Sequence, residues 1–221
     1  MKHVATPIGE TKVKGLTRRA LAKQQTRAKV LAAARRLFSE QGYEGATIRD
    51  IAAAAGMSTG AVFANFTDKS DLFREIMIND LDSLVQEMAD AAQKGRGLED
   101  TLLRIFTAGY AFYKGQLPLA RAMFSISWSP VEGKTVRSFQ AVQKMVELIS
   151  EQLSAAVERG ELSQEADIKL RSQMLFEAYL SNYPQAIFGG WSLDALQNRA
   201  KDQIRILLAG AKRGCAGRLR S

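Results

Sequence analysis

The sequence predicts an all-α protein, with an N-terminal three-helix unit that carries a helix-turn-helix and a larger C-terminal helical domain. Three observations predict it. Ala, Leu, Gln, Arg and Glu, all good helix formers, dominate the 221 residues, and there are only four prolines. Apolar residues recur at helical spacing along most of the chain, and few stretches alternate as strands do. Two short helical patterns meet at Gly56-Met57-Ser58, where glycine supplies a positive φ and serine a cap for the helix that follows.

Residues 1–22 read as a basic flexible arm, interrupted by Pro7, Gly9 and Gly15 and charged by Lys12, Lys14, Arg18 and Arg19. Such an arm either settles on phosphates or in a minor groove, or remains a solvated tail. Residues 23–75 read as the helix-turn-helix domain. From Lys23 to Gln41 the residues Val30, Ala33, Ala34, Leu37 and Phe38 fall on one helical face, and Gly42 is placed to end the helix. Arg35 and Arg36 read as surface charges. Thr47 opens a second helix, its hydroxyl positioned to accept from the N–H of Asp50 while Asp50 reaches back, and Ile48, Ile51, Ala52 and Ala55 line one face. A third helix runs from Thr59 to Asn65, and Phe66 closes over the core. The fourth starts near Lys69 and carries Leu72, Phe73, Ile76, Leu81, Leu84 and Met88, enough length to join two domains.

Residues 76–221 read as the second domain. Lys94-Gly95-Arg96-Gly97 is a polar break, followed by helical patterns at about 98–115, 117–128, 131–160, 165–188 and 193–212. Pro118 suits an early helical position, Gly160 ends a helix, and Pro184 predicts a kink or break.

The formal net charge is +8, and it is unevenly placed: residues 1–75 hold 13 Lys/Arg against 7 Asp/Glu. A basic first third points to a polyanion, of which nucleic acid is the usual one. Catalysis and metal binding find little support. His3 is the only histidine and Cys215 the only cysteine, which argues against a zinc site or a Ser-His-Asp triad. Gly133-Lys134-Thr135 resembles the end of a phosphate loop, but position 128 is Trp where that loop needs Gly. Glu99 and Asp100 sit at a helix start, where they favour the dipole. No enzyme activity, cofactor or metal is expected. No secretory signal is visible, no uncharged apolar run reaches about 18 residues, and the uncharged stretch Ala178 to Leu193 contains Asn182, Pro184 and two glycines. The expectation is therefore a cytoplasmic protein without a membrane span.

Two helices joined by a tight glycine turn make a helix-turn-helix, whose second helix enters the major groove. The run Ala46-Thr47-Ile48-Arg49-Asp50-Ile51-Ala52, then Ala55-Gly56-Met57-Ser58, then Gly60 to Phe66 and Lys69-Ser70-Asp71-Leu72 resembles the tetracycline-repressor (TetR) family over about residues 26–76. The resemblance implies a set of DNA-facing residues: Thr47, Arg49, Ser58, Thr59, Gly60, Phe63, Asn65 and Lys69. Thr47 and Lys69 would touch phosphates, Lys69 at a helix N-terminus whose N–H groups also favour an anion. Phe63 stands where the family commonly has Tyr, and Asn65 where His or Tyr is frequent.

The resemblance further implies a homodimer on a palindromic operator, released by a small-molecule effector. The dimer would form through the last two helices, with Met174, Leu175, Tyr179, Leu196, Ile204, Leu207 and Leu208 as contacts. A twofold dimer of this kind presents its recognition helices about 34–36 Å apart. Candidate ligand-lining residues are Phe106, Tyr110, Tyr113, Phe124, Trp128, Met145 and Tyr179, aromatic or soft side chains that serve equally well as plain core. Arg104, Arg121 or Glu177 would anchor a charged ligand. The alternative function is an architectural or weakly specific DNA-binding protein without an effector.

Overall fold

The structure, a computed structural model, describes residues 18–127, 136–209 and 211. Among them are ten helices: α1 (Arg18–Gly45), α2 (Ile48–Ala54), α3 (Thr59–Phe63), α4 (Lys69–Ala92), α5 (Leu98–Lys114), α6 (Leu117–Ser127), α7 (Val136–Glu158), α8 (Ile168–Ser181), α9 (Tyr183–Ile187) and α10 (Leu193–Ala209). The described residues contain no β-strand, and none of their helices is long and apolar enough to cross a membrane.

Local sequence rules account for most of the boundaries. Gly42 has a φ of +76° and interrupts α1, so that residues 43–45 lie beyond the bend. Thr47 and Asp50 form the reciprocal capping box that opens α2. Its end is a Schellman turn: Met57 N–H donates to the Ala52 carbonyl, Gly56 N–H to that of Ala53, and Gly56 takes a φ of +68°. Ser58 then caps α3 by accepting from Ala61 N–H.

Two boundaries differ from the sequence reading. The first helix begins at Arg18 rather than Lys23, which draws the end of the basic arm into α1. The single pattern over 165–188 is two helices, α8 and α9, meeting at Asn182, because Pro184 cannot donate into a continuing ladder and sits in the first turn of α9. Residues 1–17, Trp128, Gly133-Lys134-Thr135 and Cys215 lie outside the described residues.

One contiguous core runs through the molecule. In the N-terminal part Phe38, Tyr43 and Phe73 meet edge-on or tilted, with centroids 4.9–5.6 Å apart, which fixes α1 on α4. Arg27 of α1 adds a clasp. It pairs with Glu75 of α4, donates to the Asn65 carbonyl at 2.6 Å and lies 4.2 Å over the Phe66 ring. α4 continues into the second half of the molecule and packs on α5 and α7, while α1 packs on α6.

Of the seven side chains the sequence suggested as dimer contacts on the last two helices, only Met174 faces outward. Leu175, Tyr179, Leu196, Ile204 and Leu208 are buried within the protomer and Leu207 is half-buried. Their apolar faces turn inward against α5 and α7, since α8 packs on α7 and α10 on α5. The outward apolar side chains of these helices are Leu170, Met174 and Leu180 on α8 and Ile206 on α10.

Candidate nucleic-acid interface

α2 and α3 present a surface built by their caps. Ile51, Ala52 and Val62 are buried and anchor both helices on Phe66 and the first-helix core. The opposite side is open: Thr47, Arg49, Ser58, Thr59, Gly60 and Phe63 are all exposed. Phe63 is 55% exposed, an unusual position for a phenylalanine in so small a helix. Gly60 has no structural need to be glycine. A Cβ there would meet only Ser58 Oγ, at 3.8 Å, and its φ is not in the left-handed region. The small residue leaves the α3 backbone uncovered from outside.

The hydroxyls and amides of this surface differ in how free they are. Ser58 Oγ accepts from Ala61 N–H at 3.2 Å, which leaves its own proton available. Thr47 Oγ accepts from Asp50 N–H at 3.2 Å and donates to Asp50 Oδ2 at 2.6 Å, so a phosphate would have to draw that proton off the carboxylate. Asn65 is half-buried: its amide donates to the Ala61 carbonyl at 2.9 Å, and its Oδ1 is buried without a partner among the described residues.

Lys69 is also half-buried. Its ammonium donates to the carbonyls of Tyr43 (2.9 Å) and Ala46 (3.3 Å) and lies 4.3 Å over the Tyr43 ring. The start of α4 is occupied by its own acids, since Asp68 accepts from Asp71 N–H at 2.7 Å and Asp71 from Thr67 N–H at 3.1 Å. One N–H of the first turn, that of Asp71, and the Thr67 N–H just before the helix thus already serve carboxylates, whose charge also disfavours an outside anion at this end.

The ligand candidates come together, though in a packed core. Phe106, Tyr110 and Tyr113 of α5, Met145 of α7 and Tyr179 of α8 are all buried. The Tyr179 ring lies 5.1 Å from both Phe106 and Tyr110. The side chain of Phe124 lies outside the described residues.

Sequence reasoning missed three members of this cluster: Gly109, Asn182 and Tyr183. A Cβ at Gly109 would fall 2.8 Å from Tyr179 Cζ, so glycine is what lets the ring lie against the α5 backbone. Tyr183 packs edge-on against Tyr179 and Tyr113 and donates to the Gly109 carbonyl at 3.3 Å. Asn182 donates to Tyr110 Oη at 2.9 Å and to Gln203 Oε1 at 2.7 Å, while Tyr110 donates to the Tyr179 carbonyl. The only sequence signal was the place of Asn182 and Tyr183 beside Pro184, and Gly109 had none. Burial raises the pKa of the Tyr110, Tyr113, Tyr179 and Tyr183 hydroxyls above that of ordinary tyrosine, which keeps all four neutral. Two open clefts, of about 560 and 650 Å³, lie elsewhere. One is lined by Glu87, Asp90, Asp100 and Arg104 among others, the other by Arg96, Glu161 and Lys201, and neither reaches the aromatic cluster.

Arg35 is not a free surface charge. It pairs with the buried Asp80 of α4 and donates to Gln116 Oε1 at 2.7 Å. Burial outweighs this partner, and the Asp80 carboxyl sits above the usual carboxylate range.

A capped helix, a glycine turn and a second short helix with an open outer face define a helix-turn-helix of the kind found in bacterial regulators. Residues 30–76 match the N-terminal model of the family described as bacterial regulatory proteins, tetR family. The chain is 51% identical over 53 residues to the HTH-type transcriptional regulator AcrR of Shigella flexneri, covering 24% of this chain and 25% of that protein. It is 41% identical over 64 residues to the HTH-type transcriptional repressor AcnR of Corynebacterium diphtheriae, covering 29% of this chain and 34% of that one. The chain thus spans only about a quarter to a third of the length of these curated relatives. Likeness of fold extends further. FadR of Bacillus subtilis, solved in complex with stearoyl-CoA, superposes with a TM-score of 0.67 at 17% identity, covering 80% of this chain and 96% of that one. SmeT, the repressor of a Stenotrophomonas maltophilia multidrug efflux pump, gives 0.63 at 22% identity, covering 87% and 93%.

Proposed function

We propose that this chain is a sequence-specific DNA-binding transcription regulator, a repressor that sits on a palindromic operator as a homodimer and leaves it when a small, largely hydrophobic or aromatic ligand enters the helical domain. The observation that carries the reading is α3, a recognition helix whose Thr59, Gly60 and Phe63 are exposed and whose backbone is left uncovered at Gly60. A major groove admits such a helix, and small residues let it approach the base edges. Arg49 and Ser58 stand beside it as phosphate donors, with Thr47, Asn65 and Lys69 at its margins. In this reading residues 23–75 bind DNA, residues 76–221 bind effector and partner, and the protein works in the cytoplasm without a cofactor or enzymatic activity. Repressors among the relatives and the stearoyl-CoA complex of FadR support it. Leu170, Met174 and Leu180 of α8 and Ile206 of α10 supply the apolar surface for a partner. The ligand would enter by parting Phe106, Tyr110, Tyr113, Met145 and Tyr179.

That these five are tightly packed favours a second reading, a DNA-binding protein that responds to no effector. Selection of bound duplexes from a random library tests the first step, followed by anisotropy titration of the winner against scrambled DNA. A palindromic winner preferred by about 10³-fold or more supports the repressor. Steeply salt-dependent binding without an enriched site supports the architectural alternative.

A further inference from the structure

We infer that Arg35, Asp80 and Gln116 form a clamp through which the helix-turn-helix and the aromatic core of the helical domain sense each other. The inference rests on the DNA-binding reading above. Arg35 belongs to α1, which also carries the core under the recognition helix. Its planar guanidinium holds two acceptors on two other elements: Asp80 in the middle of α4, and Gln116 at the corner between α5 and α6. A planar fork with both donors engaged fixes direction as well as distance, which a lysine ammonium does not.

Each acceptor has a reason to be there. Asp80 is 2% exposed, and its second oxygen is buried with no partner among the described residues. Arg35 is the cation that makes this carboxylate tolerable, so any movement of α1 away from α4 leaves a buried charge uncompensated. Gln116 stands at a junction. Its N–H donates to the Tyr113 carbonyl, and its own carbonyl accepts from Ala120 in the first turn of α6. Tyr113 lies against Tyr183 at 5.3 Å, inside the cluster that contains Tyr110 and Tyr179. A shift of Tyr113 therefore moves the corner, the corner moves the Gln116 side chain, and Arg35 loses one of its two acceptors. Arg35, Asp80 and Gln116 are positioning residues, and none of them needs to touch DNA or ligand.

Coupling between two sites is reciprocal, so it is readable from the DNA side with no effector in hand. The experiment compares amide hydrogen exchange of the full chain with and without the duplex selected above. In the wild type the duplex slows exchange over residues 47–66 and also over residues 111–120, the latter by about fivefold or more. Gln116→Ala keeps the Arg35–Asp80 pair and the backbone, and Arg35→Lys keeps the charge but loses the fork. In both variants the response over 111–120 falls below about twofold while that over 47–66 persists. A merely structural role would lower the melting temperature and leave the duplex-induced response intact. An undiminished response over 111–120 in both variants overturns the clamp, and so does a wild type protected over 47–66 alone. A duplex that protects neither segment overturns the DNA-binding reading itself.

Discussion

Phe63 and Gly60 are anomalous if the protein is considered alone. A phenylalanine more than half exposed on a five-residue helix adds nothing to the core, and a helical glycine whose Cβ would make only one ordinary contact, with Ser58 Oγ, weakens the helix for no internal gain. Both make sense if α3 lies against another surface. Gly60→Ala is therefore expected to leave the fold unchanged or more stable by up to about 1 kcal/mol, because alanine is the better helix former. The same methyl stands between α3 and a groove wall, so affinity for the selected duplex should fall about tenfold or more. Phe63→Ala should lower that affinity by a similar factor, with stability within about 0.5 kcal/mol of the parent. Phe63→Tyr, which adds a hydroxyl able to reach a phosphate, should tighten selected and scrambled duplexes alike. Denaturant midpoints and anisotropy titrations measure the two properties separately. If Gly60→Ala binds as tightly as the parent, α3 does not enter the groove.

Elements meet through residues whose conformation or size is dictated by a neighbour, and two glycines separate these causes. Gly56 has a φ of +68° with no atom within 4 Å of a Cβ, so Gly56→Ala carries only the backbone penalty of the left-handed region, about 1–2 kcal/mol. Gly109 is the reverse case, an ordinary helical glycine whose Cβ would collide with the Tyr179 ring. Gly109→Ala should destabilise by about 1–3 kcal/mol through overpacking, and Tyr179→Leu in the same chain should recover part of that loss by removing the ring. Urea unfolding of the three variants checks both, and a Gly109→Ala protein as stable as the parent would mean that α5 and α8 are further apart than described. The contrast shows what the sequence makes legible. The capping box at Thr47 and Asp50, the turn at Gly56 and the cap at Ser58 involve atoms within a few residues of each other, so residue types alone announce them. The helix periodicities were legible for the same reason. Tyr110 and Asn182 are 72 positions apart, Arg35 and Asp80 are 45 apart, and nothing local to either marks the partner. The inward-facing side chains of α8 and α10 were misread as an outer surface because an amphipathic helix shows which face is apolar but not what covers it.

At the scale of the whole molecule, the second half is held by a core that is aromatic and also hydroxylated. Four of the five tyrosines, Tyr110, Tyr113, Tyr179 and Tyr183, lie in it, and all donate or accept hydrogen bonds or pack edge-on with one another while screened from water. Burial disfavours the phenolate in each, so the folded protein keeps these protons at a pH where the unfolded chain, with tyrosines titrating near the ordinary value of about 10, gives them up. The sign follows directly. Below about pH 10 both states are protonated and stability is unaffected by these groups. Above it the unfolded state binds fewer protons than the native one, and stability falls as pH rises. Each tyrosine contributes a slope of up to about 1.4 kcal/mol per pH unit in that window, so four together make alkaline unfolding steep and cooperative. Tyrosinate absorbance should then rise for these four only as circular dichroism reports loss of helix, and Tyr183→Phe should shift the alkaline midpoint upward if the variant retains its packing. A core whose tyrosines ionise while the helices remain intact would be open to water, and by the same token open enough to admit a ligand without rearrangement.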